Sequence, residues 1–591
     1  MGPRIGEPGS RQTFLSVASL ILVGLFVVRL IDVQIVSAAP LAEAALSQRL
    51  VTVEVTPTRA DILDRNGVVL ATTVERYDLW VNQKQLAEWT RTETGTVVAS
   101  GPLDAAKILA PILGMSESEL GADLVGDKTF VYLAKSLTPE ILDLVKTERI
   151  AGIGWESVPQ RLYPNGDTAG NILGFMGGNA DSGVDVGLGG IEQAYQDELE
   201  GVSGSQTYER SAYGTVIPSG IHSEEEAVAG ETVVLTMDRD IQFFAEERLA
   251  EAVSESGATG GAIVVTDSTT GEVLAMADSG AVDPADPGAT DASQRGSGAV
   301  EDVFEPGSTA KIITMAAALE EGVATPTSQY VAPYLYTTEN NQTFRDSHEH
   351  EDEKLTLTGV LVKSSNTGTV QIGEQMSDET RYNYMSAFGL GTRTGIGLVS
   401  ESPGILHPWQ DWDGRTKYAT SFGQGVSVTA LQTAQVYGII ANGGVKITPT
   451  IIKGFESADG TFTAQESAEP VRVVSEQTAS ELMSMLAEVT ESGGTGQAAA
   501  IDGYLVAGKT GTAQAPDENG QMTRYVASFV GIAPADDPRV VVSVILYDPQ
   551  TSIYGGDVAA PVFKDVATFA LQTLRVPPST GTLTQYPITW E

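Results

Sequence analysis

The sequence contains no cysteine. That removes a cysteine nucleophile, a thiolate-bound metal and any disulfide, without fixing the compartment. Histidine is nearly as scarce, with His222, His348, His350 and His407 the four in the chain. A Ser-His-Asp hydrolase would have to recruit one of them, and none lies in a serine-elbow context. Cations are outnumbered, 35 Lys and Arg against 77 Asp and Glu, for a formal net charge of -42. Nucleic acid is therefore excluded as a partner, because binding a phosphate backbone needs clustered Lys and Arg. The acidity reads as a solvated surface and not as a substrate signal. No internal repeat is visible, and nothing after residue 575 suggests an appended repeat module. Long apolar runs are missing too, with one exception at the amino terminus.

That run extends from Phe14 to Val28, and Leu30-Ile31 prolong it past Arg29. A span needs ~20 mostly apolar residues, so residues 14–36 are expected to cross a membrane, with Arg29 snorkelling to the interface. The flank before it carries Arg4 and Arg11 against Glu7. The positive-inside rule then makes residues 1–13 a cytoplasmic stub and puts the bulk of the chain outside the cell. The alternative is a cleaved signal peptide, with an Ala-x-Ala-like site near Ser37-Ala38-Ala39. The apolar region is long for a signal, and Arg29 and Asp32 interrupt it before that site, which favours the anchor.

With 591 residues, 42% of them hydrophobic, the chain can fill about four units of ~150 residues. Leu41 to Leu50 reads as a helix and Leu50 to Val55 as a strand. Asn66-Gly67 marks a hairpin turn between Ile62-Leu63 and Val68-Val69-Leu70. Pro139 to Lys146 is a helix capped by Thr138. Residues 161 to 230, rich in Gly, Ser and Asp, read as extended segments and connections, with a domain boundary near 230. Beyond it come a strand at Thr232–Thr236, an amphipathic helix from Asp238 to about Ser254, and a hairpin around Thr269-Thr270-Gly271. Residues 278 to 300 read as a loop. The pattern predicts an α+β domain with helices on an antiparallel sheet.

Three short motifs carry chemistry. Ser308-Thr309-Ala310-Lys311 follows the chain-breaking Pro306-Gly307 and opens a run of Ile312, Ile313, Met315, Ala316 and Leu319. Ser308 is thus placed at a helix start, and residues three apart share a face, so Lys311 is expected beside its hydroxyl. A serine needs a base to become a nucleophile. Lysine can serve only if burial or a second cation lowers its pKa. The helix start favours negative charge developing on an attacked carbonyl. Ser364-Ser365-Asn366 follows the apolar helical run Leu355 to Leu361. Lys509-Thr510-Gly511-Thr512 ends the strand-like run Tyr504 to Ala507. Each motif alone also fits a cap, a turn or a strand end; the three in this order do not. The acidic cluster Asp346-Ser347-His348-Glu349-His350-Glu351 could suggest a metal, but a solvated loop is the simpler reading, and no metal or other cofactor is expected.

The trio resembles that of penicillin-binding proteins and class A β-lactamases. Thr232 to Met276, Glu305 to Leu319, Leu355 to Thr369, Ser421 to Gly444, Lys509 to Gln514 and Tyr554 to Phe563 are similar to penicillin-binding transpeptidase domains. Arg59 to Gly67, Arg161 to Gly166 and Gly187 to Glu192 resemble the pedestal of the class B members. Ala60 and Gly189 depart from that pedestal pattern, which usually has Gly and often Glu there. The resemblance covers about residues 40 to 570. It implies a penicillin-binding/serine β-lactamase-like transpeptidase domain (231–575) on an extended β-rich pedestal (37–230), with a tail at 576–591.

By the same match, Ser308 is the nucleophile that attacks the penultimate D-Ala carbonyl of a stem pentapeptide, and Lys311 is its base. Ser364 relays a proton to the leaving amine, Asn366 holds the substrate amide and Lys311, and Lys509 supplies positive charge. Thr510 and Thr512, with Gly511 between them, bind the terminal carboxylate of substrate or β-lactam. Backbone N–H groups of Ser308 and Thr512 form the oxyanion hole. A separate FtsW/RodA-type glycosyltransferase and divisome proteins are the implied partners, with the lipid-linked precursor as substrate. The size, the pedestal and the Asp346-to-Thr369 segment look most like the septal FtsI branch. An elongation-type class B enzyme is the alternative. A β-lactamase, a β-lactam sensor and a silent division scaffold fit less well: the chain has a pedestal, one apolar run and every motif residue.

Overall fold

The computed structural model describes residues 8–178, 185–211, 216–517 and 519–591. Arg4 and Glu7, used above for orientation, lie outside the described residues. The chain divides into two compact units, one of residues 1–58 with 200–230 and one of 59–199 with 231–591.

In the first unit, helix α1 (Pro8–Ile31) continues through a π-helical turn at Asp32–Val36. The most apolar 18-residue window of Gly9–Val36 has a mean hydropathy of 2.5 and no buried residue, so this one helix among those described is long and apolar enough to cross a membrane. Arg29 pairs with Asp32 at 2.5 Å, which keeps both charges together at its end. The following helix is Ala38–Ser47, three residues earlier than its sequence pattern suggests. Leu50–Val55 pairs antiparallel with Gly204–Glu209, which pairs with His222–Glu225 in a three-stranded sheet.

In the second unit, β1 (Ile62–Leu63) and β2 (Val69–Val81) flank the turn at Asn66-Gly67. Gly67 has φ +85°, a conformation glycine adopts without strain, and Asp64 Oδ1 accepts from the N–H groups of Asn66 and Val68. Strands β3 (Val131–Leu137) and β4 (Ile153–Leu162) both pair with β2. The helix Pro139–Thr147 between them is capped by Thr138.

The three pedestal stretches singled out in sequence converge on Glu192, which is completely buried. Arg59 Nε donates to its Oε2 at 2.7 Å, Arg161 Nε to Oε1 at 2.7 Å, and Tyr163 Oη to Oε1 at 3.2 Å. Two guanidinium groups and a hydroxyl compensate one desolvated carboxylate. Residues 161–178 and 185–200 are less extended than their composition predicts. They form short helices at Gly170–Leu173, Gly190–Ala194 and Gln196–Glu200, the first two opening on glycines that allow close backbone approach. A Cβ on Gly190 would lie 2.2 Å from the Ile172 carbonyl oxygen.

Strand β5 (Thr232–Leu235) runs parallel to β1, with Val233 opposite Ile62. The sheet therefore crosses position 230, where composition suggested a boundary, and contacts group residues 59–199 with the later chain. Helix α2 (Arg239–Ser256) starts at the Asp238 cap. Strands β6 (Gly260–Asp267) and β7 (Val273–Asp278) form the expected hairpin. Next come α3 (Lys311–Glu320), the strand pair β8 (Gln329–Ala332) and β9 (Glu353–Thr356), and helices α4 (Leu357–Lys363), α5 (Asn366–Gly373) and α6 (Ala430–Ala441). Strands β10 (Ala507–Ala515), β11 (Arg524–Ala533) and β12 (Val540–Tyr547) and helix α7 (Ala560–Thr573) follow.

The main sheet has the order β7-β6-β12-β11-β10 and is antiparallel throughout, so the α+β expectation holds. Its strands are buried on both faces. Ile263 and Val265 pack with α2 and α7, whereas Val264 packs with α3 and α6. Helix α3 is buried on all sides except at its end, so it forms the centre of the unit.

Candidate active site

Ser308 lies in a 3₁₀ turn, Gly307–Ala310, that leads into α3. Gly307 has φ +54°, and a Cβ there would meet the Thr512 carbonyl oxygen at 3.1 Å. Gly511 is equally constrained from the other side. A Cβ there would lie 2.2 Å from Ser528 Oγ and 3.0 Å from Thr309 Cγ2. Two glycines thus let the serine turn lie directly against β10, the edge strand that carries Lys509 to Thr512. The Gly307 N–H donates to the Gly423 carbonyl at 3.0 Å, and the buried Tyr437 hydroxyl donates to the Thr309 carbonyl at 2.9 Å. Ser308 itself stays partly exposed.

Lys311 and Lys509 have no exposed surface. Both reach the same side chain. Lys311 Nζ donates to the Ser364 carbonyl at 2.5 Å and lies 3.3 Å from Ser364 Oγ, while Lys509 Nζ lies 3.0 Å from that Oγ. Burial pulls the Lys311 pKa down to about 7, against the opposing pull of Asp346. Burial also holds Lys509 well below its ordinary value, and the charge on Lys311 lowers it further. The i, i+3 spacing predicts the base beside the Ser308 hydroxyl. Instead Lys311 Nζ is committed to Ser364, and no hydrogen bond joins it to Ser308. The cause is the short serine turn: Lys311 is the first residue of α3, and its side chain runs to the end of α4.

Ser364 closes α4 in the left-handed region, φ +58°, and Ser365 caps α5. This tight reversal is held by a residue that local sequence does not mark. Asp346 is buried and accepts from Asn366 N–H at 2.5 Å, Thr367 N–H at 3.0 Å and Ser365 Oγ at 2.7 Å. His350 Nε2 sits 3.1 Å from Asp346 Oδ2. The Asp346–Glu351 stretch is therefore only in part the solvated loop its composition suggests. His348, Glu349 and Glu351 are exposed, but Asp346 is the anchor of the Ser364-Ser365-Asn366 turn. Among the described residues no group of His, Asp and Glu has the geometry to hold a metal.

Asn366 also differs from expectation. Its amide Nδ2 donates to the Arg345 carbonyl at 3.1 Å and makes no hydrogen bond to Lys311. Thr510 Oγ1 accepts from Lys509 Nζ at 3.1 Å and donates to Thr495 Oγ1 at 3.0 Å, a partner without a sequence signal. Thr512 is half-buried beside the serine turn. The arrangement supplies an accessible hydroxyl, two buried amines that meet at one serine hydroxyl, and an edge strand beside them.

A helix-start serine with two buried lysines against an antiparallel sheet edge is the constellation of the penicillin-interacting serine acyltransferases. Residues 261–568 match the model of the penicillin binding protein transpeptidase domain, and residues 54–235 that of the penicillin-binding protein dimerisation domain. Over 590 residues the chain is 37% identical to penicillin-binding protein PbpB of Mycolicibacterium smegmatis, covering 95% of this chain and 90% of that one. It is 32% identical over 550 residues to peptidoglycan D,D-transpeptidase FtsI of Escherichia coli, covering 92% and 88%. Penicillin-binding protein 3 of Mycobacterium tuberculosis, complexed with aztreonam, superposes with a TM-score of 0.69 at 32% identity, over 90% of this chain and all of that one. The chain belongs to the class B penicillin-binding proteins of the FtsI type. It is a serine acyltransferase of the D,D-transpeptidase kind.

Proposed function

We propose that this chain cross-links peptidoglycan stem peptides at the division septum, through an acyl-enzyme on Ser308. The observation that carries the reading is the convergence of Lys311, the residue that follows the Ser308 turn, and Lys509, both fully buried, on Ser364 Oγ. Ser308 Oγ attacks the penultimate D-Ala carbonyl while its proton passes to neutral Lys311. The contact that is open in the free enzyme closes when substrate fills the site. The C–N bond to the terminal D-Ala then breaks, and Ser364 relays a proton to the departing amine. An amine from a second stem attacks the ester, forms the cross-link, and returns the proton to Ser308. Lys509 offsets the charge of the bound carboxylate, which Thr510 and Thr512 receive, with Gly511 letting the strand lie close. Backbone N–H groups of Ser308 and Thr512 face the developing oxyanion. Asn366 orients the substrate amide. The free edge of β10 pairs with the extended peptide.

In this reading α1 anchors the chain with residues 1–13 in the cytoplasm and the rest outside the cell. Residues 37–230 form the pedestal, and residues 231–575 catalyse. An FtsW/RodA-type glycosyltransferase and divisome proteins act beside it, and β-lactams acylate the same serine. The likeness to FtsI supports the septal branch. The test supplies the purified membrane form with lipid-linked pentapeptide precursor and a partner glycosyltransferase. Release of D-Ala and cross-linked muropeptides are expected. Glycan without cross-links, at the rate given by Ser308→Ala, refutes the reading.

A further inference from the structure

Residues 577–591 fold back onto the two elements that present the non-nucleophilic motifs. At one end Asp536 holds them. Ser579 Oγ donates to its Oδ1 at 2.5 Å, and the N–H groups of Thr580 and Gly581 donate to Oδ2 at 3.1 and 2.7 Å. Ser579 N–H also donates to the Gly503 carbonyl, and Ser579 Oγ accepts from the N–H of Leu505, two residues before β10 begins. Leu583, Tyr586 and Ile588 then pack on the core.

At the other end the segment lies alongside β9, opposite β8. Thr589 bridges Leu355, and the N–H of Thr356 donates to the Ile588 carbonyl at 3.0 Å. Trp590 donates through N–H to the Lys354 carbonyl and through Nε1 to the Tyr330 carbonyl, with the Lys354 ammonium 4.9 Å from its ring centre. Thr356 is the cap of α4. Its hydroxyl accepts from Gly359 N–H at 2.9 Å while donating to the Pro587 carbonyl at 2.5 Å. Gly359 is in such close contact that a Cβ there would lie 1.9 Å from the Ile588 carbonyl oxygen. The segment therefore grips the start of the helix whose last turn delivers Ser364, and the foot of the strand that delivers Lys509.

We propose that residues 577–591 are a positioning strap for the acylation step, setting Ser364 Oγ between Lys311 and Lys509. The inference rests on the transpeptidase reading. A short helix transmits displacement at its capped end to its other end, and Ser364 is shared by both amines. Misplacement by ~1 Å in such a relay costs up to ~100-fold in rate.

The test is a stop after Gln585, which removes Tyr586 to Glu591 and leaves the Asp536 clamp. Stopped-flow with a fluorescent penicillin on the full membrane form separates the limiting acylation rate from the dissociation constant of the drug. The limiting rate should fall by about tenfold or more, with the dissociation constant changed by less than about threefold, because β10 is untouched. Gly359→Ala, which cannot coexist with the seated Ile588 carbonyl, should give the same split. Combined with the stop it should add nothing, because the two changes remove one contact. Should the shortened chain fail to fold, Gly359→Ala alone decides. Unchanged limiting rates overturn the strap while leaving the transpeptidase reading intact. A chain that takes no label even unaltered overturns that reading, and the strap with it.

Discussion

Replacing Lys311 with methionine should abolish acylation and stabilise the protein at the same time. The side chain has no exposed surface, and burial lowers its pKa from 10.5 to about 7. At ~1.4 kcal/mol per pKa unit, keeping a lysine there costs on the order of 4–5 kcal/mol at and below pH 7. Methionine has similar length and no charge to desolvate. The change orphans the Ser364 carbonyl, at roughly 1–3 kcal/mol. A net gain of about 2 kcal/mol is expected at pH 7.

The pH dependence carries the sign. Between pH 7 and 10.5 the unfolded wild-type chain binds a proton at Lys311 that the folded chain does not. Wild-type stability therefore rises with pH across that window, and the advantage of Lys311→Met shrinks across it. Relief of Lys509, which the Lys311 charge had depressed, adds a smaller gain of the same sign. Urea unfolding of both proteins at pH 7 and pH 9.5, followed by tryptophan fluorescence, measures the difference, and other titrating groups cancel. A variant less stable than wild type by more than ~1 kcal/mol at pH 7, or a gap that does not narrow with pH, refutes the reasoning.

The limiting rate of penicillin acylation should rise with pH and reach half its plateau near pH 7, as Lys311 loses its proton; a flat profile from pH 5.5 to 8.5 would contradict a lysine base. Asp346→Ala strips two backbone N–H groups and the Ser365 hydroxyl of their acceptor, so acylation should slow by at least about tenfold, measured by stopped flow, with a loss of ~2–4 kcal/mol in urea unfolding. Glu192→Ala leaves Arg59 and Arg161 buried and unpaired, at ~3–5 kcal/mol. Calorimetry should show unfolding begin several degrees lower, while the folded protein still acylates at the wild-type rate.

Chemistry in this chain is written locally and its support is not. The serine turn follows from Pro306-Gly307, the α2 start from Asp238, and the hairpins from Asn66-Gly67 and Thr269-Thr270-Gly271, because each depends on neighbours in sequence. The buried lysines were legible as motif residues, but their common target was not, since Ser364 reaches them from another helix. Asp346 looked like part of an acidic loop. Only the fold shows that it faces three donors on the α5 start. The short helices after residue 170 were hidden because glycines that look like loop residues are needed there for close packing. That one sheet joins strands on both sides of position 230 was not legible, because β5 and β1, distant in sequence, pair in parallel.

The central claim is that Ser308 becomes the acylated residue. Intact-mass and peptide-mass spectrometry after incubation of the membrane form with penicillin measures it directly. One adduct per chain is expected, on the peptide containing Ser308, and none in Ser308→Ala. An adduct on any other residue, or one that persists in Ser308→Ala, would contradict the account.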